Sequence, residues 1–376
     1  MGYLTRFFTA FCAVLAAVAA LNALADPFDI LGTPIIDGVN QVKTPAPDRF
    51  FKPLQVAARQ PHTVLIGDSR VMLGLDPHDV PGGEAYNLGI PAATLSEEMA
   101  LARHVLADTP ATQIVIGFDY LSFGDRIDEY PSFRLAILGR FALWRGLPDL
   151  LVSQRALERT WFTLLYSRRH ASPSYQHDGL RLTPARSPSE AISVDDSLRL
   201  SPAERILQSV TEYTLDYREM RDPGAALDRL GPFLASLPPS LAVSAFITPG
   251  HAALLEPLAA LGHRPAYDSW LVRLTAICAA RRIPLWDFGG YNPITTQPIA
   301  TAGPSYFDGS HFRPPIGRMV LATMLGGADT PDFGVRLTPE TISGYLARQE
   351  TARAAWHREQ PEDLRAIAAA IRAAAR

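Results

Sequence analysis

The chain has 376 residues, 47% of them hydrophobic and 19% charged, enough apolar material for a sizeable core without disulfide staples. Its 35 basic and 38 acidic residues leave a net charge of −3, spread along the chain, so no electrostatic footprint for nucleic acid is present. The two cysteines, Cys12 and Cys278, lie in unrelated apolar stretches and give neither a disulfide framework nor a metal-thiolate set.

The first element in chain order is an apolar run from Phe7 to Ala25, broken only by Thr9 and Asn22, with Arg6 before it and Asp26 and Pro27 after it. About 19 residues at roughly 1.5 Å each just cross a hydrocarbon core. The leading positive charge favours an inward N-terminus, so everything beyond Asp26 is expected outside the cytoplasm, as the periplasmic domain of a single-pass inner-membrane protein. Ala23, Leu24 and Ala25 also read as a small-x-small cleavage site, which would release the protein to the periplasm. Segment 1–26 is therefore expected to be a membrane anchor or a signal peptide.

A Pro-rich, polar stretch runs to about Pro61, and then short β-branched runs alternate with helical stretches, the pattern of a parallel α/β sheet. Strands are expected at Thr63–Ile66, Ala85–Leu88, Gln113–Phe118, Leu241–Ile247 and Pro284–Phe288, with helices at Leu95–Ala107, Ala252–Leu261, Trp270–Ala280 and Gly317–Leu325. This predicts a flavodoxin-like three-layer parallel sheet over residues 27–335. A helical insertion at 121–240, with helices at Leu135–Trp144 and Leu150–Tyr166 and a polar loop from His170 to Asp196, reads as a cap or lid beside the sheet. Residues 336–376, rich in Ala, Glu and Arg, are expected to form an extension of exposed helices.

Ligands bind at the carboxyl ends of parallel strands, where loops and helix N-termini converge. Those ends carry Gly67, Asp68, Ser69 and Arg70; Asn87, Leu88 and Gly89; Gly117, Phe118 and Asp119; and Thr248 to His251. Beyond the fifth strand come Tyr306 to His311. The Gly-Asp-Ser block after the first strand and the Asp-x-x-His pair Asp308 and His311, about 240 residues later, resemble the two signature blocks of the GDSL/SGNH hydrolase superfamily. The resemblance covers roughly 63–325, interrupted by the insertion.

A serine hydroxyl becomes an effective nucleophile when an imidazole takes its proton and a carboxylate holds the other ring nitrogen. Ser69 is accordingly the expected nucleophile, His311 the general base and acid, and Asp308 its orienting carboxylate. The resemblance implies an oxyanion hole from the N–H groups of Ser69 and Gly89, with Asn87 beside it. Where the family's third block carries Asn, this chain has Asp119, which must be protonated, face elsewhere or hold a group such as Arg70. Arg70 and Arg313 flank the serine and the histidine as candidate contacts for an anionic group. His251 reads either as a substrate contact or as a solvated helix-start residue, and Asp287 either as part of the rim or as a turn residue.

With an extracytoplasmic address, the resemblance implies serine-dependent acyl-ester hydrolysis or O-acyl transfer on a cell-envelope carbohydrate, without metal or other cofactor. The likeness extends distantly to the alginate O-acetylation proteins, in which the Asp and His blocks precede the serine. The alternative is a catalytically inactive scaffold of the same fold that binds glycan or an envelope assembly partner, through aromatics such as Trp144, Trp161, Tyr166 and Tyr175. Expected partners are thus a carbohydrate or acylated small molecule and, through the N-terminal helix, the membrane.

Overall fold

The computed structural model describes residues 2–124, 129, 130, 133, 137–182, 200–327 and 332–374. In chain order its elements are α1 (Tyr3–Ala25), α2 (Asp48–Arg59), β1 (Thr63–Ile66), α3 (Ser69–Gly74), β2 (Ala85–Asn87), α4 (Leu95–Asp108) and β3 (Gln113–Phe118). The insertion supplies α5 (Ala142–Leu151), α6 (Gln154–Arg168), α7 (Pro202–Glu219) and α8 (Gly224–Ser236). Then follow β4 (Ala242–Ile247), α9 (Glu256–Ala260), α10 (Arg264–Ala280), β5 (Leu285–Asp287), α11 (Pro314–Leu325), β6 (Val335–Leu337), α12 (Ile342–Glu359) and α13 (Pro361–Ala374).

The six strands form one sheet in the order β2-β1-β3-β4-β5-β6, parallel throughout except for β6. Successive residues of a strand point to opposite faces, and here both faces are apolar. Val64, Ile66, Ile114, Ile116 and Ile247 enter one core with α4, α8 and α10, while Leu65, Val115 and Phe246 enter a second with α7, α11 and α13. Helices on both faces make the architecture α/β with a mostly parallel sheet. Because β1 leads outward to β2 on one side and to β3 on the other, the chain reverses direction across β1, and the crevice there opens at the carboxyl ends of β1 and β3.

Three expectations need correction. The stretch before Pro61 is not merely polar: α2 buries Phe50, Phe51, Leu54, Val56 and Ala57, most of them in a third core shared with α5 and α6. Its charged and proline residues masked that apolar face. The edge strand β6 was not foreseen, since its exposed Arg336 interrupts the apolar run that marks a buried strand. The C-terminal helices are docked rather than exposed: Tyr345, Trp356 and Ile367 are buried, and the Tyr345 hydroxyl donates to Asp287 Oδ2 at 2.8 Å. In the insertion, the start of the helix expected at Leu135–Trp144 lies outside the described residues, but 137–141 are described and not α-helical, so the helix begins at Ala142 and runs on to Leu151; about half of the polar loop expected from His170 to Asp196 lies outside the described residues.

One crossing fixes the geometry of everything that follows. The α3 and α11 backbones touch at Gly74 and Gly317, where a Cβ on Gly317 would run into the Gly74 carbonyl oxygen and one on Gly74 into the Phe312 ring. Ser69 opens α3, and His311 lies just before α11, so the approach of these two helices sets the separation of the two side chains. Gly317→Ala is expected to destabilise by about 1–3 kcal/mol through overpacking. Urea unfolding checks this, and an unchanged midpoint would contradict it.

Candidate active site

Asp68 caps α3, its Oδ1 accepting from the Arg70 N–H at 2.8 Å, so the helix begins at Ser69 with the side chain at the sheet's carboxyl rim. Gly67 allows the tight exit from β1: a Cβ there would lie 2.5 Å from Val71 Cγ2 and 2.9 Å from the Gly117 oxygen. On the far side of the sheet a bridge between Tyr306 and Phe312 closes a short loop, within which the Phe307 N–H donates to the His311 carbonyl at 2.8 Å. Asp308 Oδ1 accepts from the N–H groups of Ser310 and His311 at 2.8 and 2.9 Å, which fixes the loop from within.

His311 Nε2 lies 2.8 Å from Ser69 Oγ, and His311 Nδ1 lies 2.7 Å from Asp308 Oδ2. An ionised carboxylate only accepts, so Nδ1 carries the proton and Nε2 is left to accept from the serine hydroxyl. Burial works to raise the Asp308 carboxyl, but the charge of the His311 ring when it is protonated, with the hydrogen bonds from His311 and the Ser310 N–H, outweighs it and holds the carboxyl well below the usual range. The three residues named from sequence are therefore one hydrogen-bonded chain.

This chain opens on a cleft of about 670 Å³, lined among others by Asp68, Ala92, Asp119, Tyr213 and Glu212. Gly89 and Asn87 do not line it. The Gly89 N–H donates to Asn87 Oδ1 at 3.0 Å, and Asn87 Nδ2 donates to the Val71 and Leu75 carbonyls at 2.7 and 2.8 Å, closing the C-terminal end of α3. Ala92 and Ala93 of this loop reach the cleft, and Ala92 is exposed and held at φ 46°, a left-handed conformation that a residue with a Cβ seldom adopts. Among the described residues the N–H groups of Ser69 and Ala92 have no hydrogen-bond partner. Arg49 holds the Ala92 carbonyl at 3.1 Å while making a two-pronged pair with Glu97 at 2.8 Å for each bond. Neither Ala92 nor Arg49 carries a motif, and only the three-dimensional loop identifies them.

Asp119 does face the cleft, and of the three possibilities for it the structure has the third. Its Oδ2 lies 2.6 Å from Arg70 Nη1, which also reaches Asp68 Oδ2 at 3.0 Å, while Arg70 Nη2 donates to the Tyr213 hydroxyl. Burial, helped by Asp68, raises the Asp119 carboxyl, and Arg70 opposes this. Arg70 is thus a buried structural cation, and the expected anion contact is not available there. Arg313 likewise turns away, donating to the carbonyls of Gly303 and Tyr306. His251 is buried, with Nε2 on the Gln297 carbonyl, and Asp287 is buried with the Gly289 N–H and Tyr345 as donors. Burial pushes the Asp287 carboxyl up to about 6.

The insertion is part of the site rather than only a cover. From α7, Ser209 Oγ accepts from the Gly309 N–H at 3.2 Å and Arg205 Nε donates to the Phe307 carbonyl at 2.7 Å, so this helix braces the histidine loop. Glu212 and Asp216, one turn apart on α7, add carboxylates to the cleft wall. Ile206, Val210, Thr214 and Tyr217 recur at helical spacing and are buried, a pattern that would have located α7 in the sequence.

Behind the β2 loop, Lys52 is wholly buried and its ammonium reaches the carbonyls of Asn87, Gly89 and Gly179 at 3.1, 2.7 and 2.8 Å. Burial pushes it down to about 7. The unfolded chain then binds more protons than the folded one from about pH 7 up to the ordinary lysine value near 10.4, so this residue makes stability rise with pH across that window. Lys52→Met is expected to flatten the rise, as measured by urea unfolding at several pH values.

Among the described residues, one group has metal-ligand spacing, Asp76, His78 and Asp178, with ligand atoms within 4.8 Å of one another. His78 Nδ1 lies 3.0 Å from both carboxylates, so the trio already acts as an ion-pair link between the turn after α3 and the insertion. Comparison of the chain with protein-family models, with curated proteins and with solved structures finds no match in any of the three.

Proposed function

We propose that the protein is a serine esterase or O-acyltransferase of SGNH type that acts on an acylated carbohydrate of the cell envelope. The observation that carries this reading is the continuous relay from Asp308 through His311 to Ser69, at 2.7 and 2.8 Å, on the wall of an open cleft. In the first half-reaction His311 Nε2 takes the Ser69 proton as Oγ attacks the ester carbonyl. The oxyanion meets the N–H groups of Ser69 and Ala92, and Arg49 steadies the second of these residues from its carbonyl side. Collapse breaks the ester bond, the leaving alkoxide takes the proton back from Nε2, and the acyl group stays on Ser69. A second hydroxyl, from water or from a sugar, then repeats the sequence in reverse.

Polar groups line the cleft, Asp68, Ser122, Glu212, Asp216 and Ser310 among them, which favours a hydroxyl-rich ligand over a long acyl chain. A lipid esterase would require the opposite lining. Asp119 is the observation that favours the inactive scaffold, because a carboxylate beside an oxyanion opposes it; the 2.6 Å contact with Arg70 offsets that charge. The N-terminal helix, 23 residues long and apolar through most of its length, suits an anchor that holds the domain at the membrane.

A serine-directed fluorophosphonate separates enzyme from scaffold. Labelling of the native chain, absent in Ser69→Ala, is the expected result. A folded wild type that takes no label would remove the enzyme reading.

A further inference from the structure

The last turn of α1 is built into the folded domain. Asn22, fully buried, donates from Nδ2 to the Leu151 carbonyl at 2.8 Å and accepts from the Thr160 hydroxyl at 2.8 Å. Thr33 Oγ1 and Lys43 Nζ donate to the carbonyls of Ala23 and Ala25 at 2.6 and 3.0 Å. The helices that receive this turn, α5 and α6, are also where the domain shows its largest bare aromatic groups. Trp144 is 75% exposed, Trp161 64% and Phe141, just before α5, 63%. On α6, Leu157, Trp161 and Leu164 follow one another at helical spacing, and with Leu21 of α1 they line an open groove of about 400 Å³. Leu21 belongs both to this groove and to the exposed apolar surface of α1, so the two surfaces meet.

Charge agrees with shape. Segment 140–169 holds six arginines against Asp149 and Glu158, a net +4 within a chain of net −3, and Arg140, Arg145, Arg168 and Arg169 are exposed. Aromatic side chains and arginines on one helix pair, beside an apolar helix of membrane-crossing length, are the composition of the bilayer's headgroup zone. We propose that α5 and α6 are a second membrane contact, seated in the interface next to α1 with Trp144 and Trp161 at headgroup level and the arginines facing anionic lipid phosphates. The proposal rests on α1 being embedded. A single helix leaves a domain free to swivel, whereas a helix plus an interfacial pair holds it in one attitude, with the cleft at a set height above the lipid.

The test uses the full chain reconstituted in vesicles of phosphatidylcholine and phosphatidylglycerol with brominated acyl chains, which quench nearby tryptophan. Of the other three tryptophans, Trp270 and Trp356 are buried and Trp286 is half-buried, stacked on Phe288 in the central sheet, so the quenching reports mainly Trp144 and Trp161. Wild type is expected to float with the vesicles and to be quenched, and Trp144→Phe/Trp161→Phe to float but lose the quenching. Vesicles without phosphatidylglycerol are expected to quench less. Flotation without quenching of wild type would overturn the second contact and leave the anchor standing; failure to float would overturn both. If wild type is unquenched and Trp161→Cys, in a Cys12→Ser background, crosslinks into dimers, the groove belongs to a second copy and the lipid assignment falls.

Discussion

Ser69→Ala is expected to lower kcat about 10⁴- to 10⁶-fold, the loss seen when one member of a cooperating triad is removed. His311→Ala should fall in the same range, and the double variant should be scarcely worse than either, because the hydroxyl and the imidazole at 2.8 Å act as one unit. Asp308→Asn tests the orienting role separately. It keeps the shape but turns an acceptor into a group that can face Nδ1 with an N–H, which favours the wrong tautomer and costs about 10⁴-fold. Stability supplies a second readout. The Asp308 carboxyl is held below its unfolded value, so its contribution is complete above about pH 3.9 and is lost as pH falls through the folded value. The stability gap between wild type and Asp308→Asn should therefore close on acidification below about pH 4. A gap independent of pH would remove the ion pair from the explanation.

Arg70→Met is expected to destabilise the domain by about 3–5 kcal/mol, the usual consequence of leaving a buried counter-charge unpaired. The arginine spans Asp68, Asp119 and Tyr213, so its loss strands two carboxylates at the carboxyl ends of neighbouring strands β1 and β3. Because Asp68 also caps the helix that presents Ser69, activity should fall together with the urea midpoint. Asp119→Asn placed on top of Arg70→Met removes one of the stranded charges and should recover part of the stability. A single variant that loses less than about 1 kcal/mol would show that these groups carry no structural charge balance.

The sequence made legible what has a period or a fixed chemical order. All five parallel strands appear within a residue or two of their expected limits, because strands buried on both faces read as short apolar runs bounded by turn residues. The relay was legible for a related reason: Ser69 lies in a short block at the end of β1, Asp308 and His311 in a second short block in the loop before α11, and the two come in a fixed order. What stayed hidden depends on contacts between distant segments. Asn87 and Gly89 look like rim residues but are spent on closing α3, while Ala92 gains its place from a left-handed turn that no single residue announces. Arg70 is open in the sequence to two readings, an anion contact or a partner for Asp119, and only the fold, which surrounds it with Asp68, Asp119 and Tyr213, decides between them. The buried side of α2 was obscured because Arg49 and Lys52 are charged, yet both are buried and fully engaged, one by Glu97 and the other by three carbonyls.

The hydrogen bond between Ser69 and His311 joins positions 242 residues apart, from the first strand to beyond the fifth. Until β1 and the loop before α11 are brought together, the hydroxyl has no base and behaves as any alcohol does in water. On the proposed esterase reading, nucleophilicity is switched on by the completion of folding itself. On that reading a nascent or unfolded chain is chemically silent toward the esters it passes.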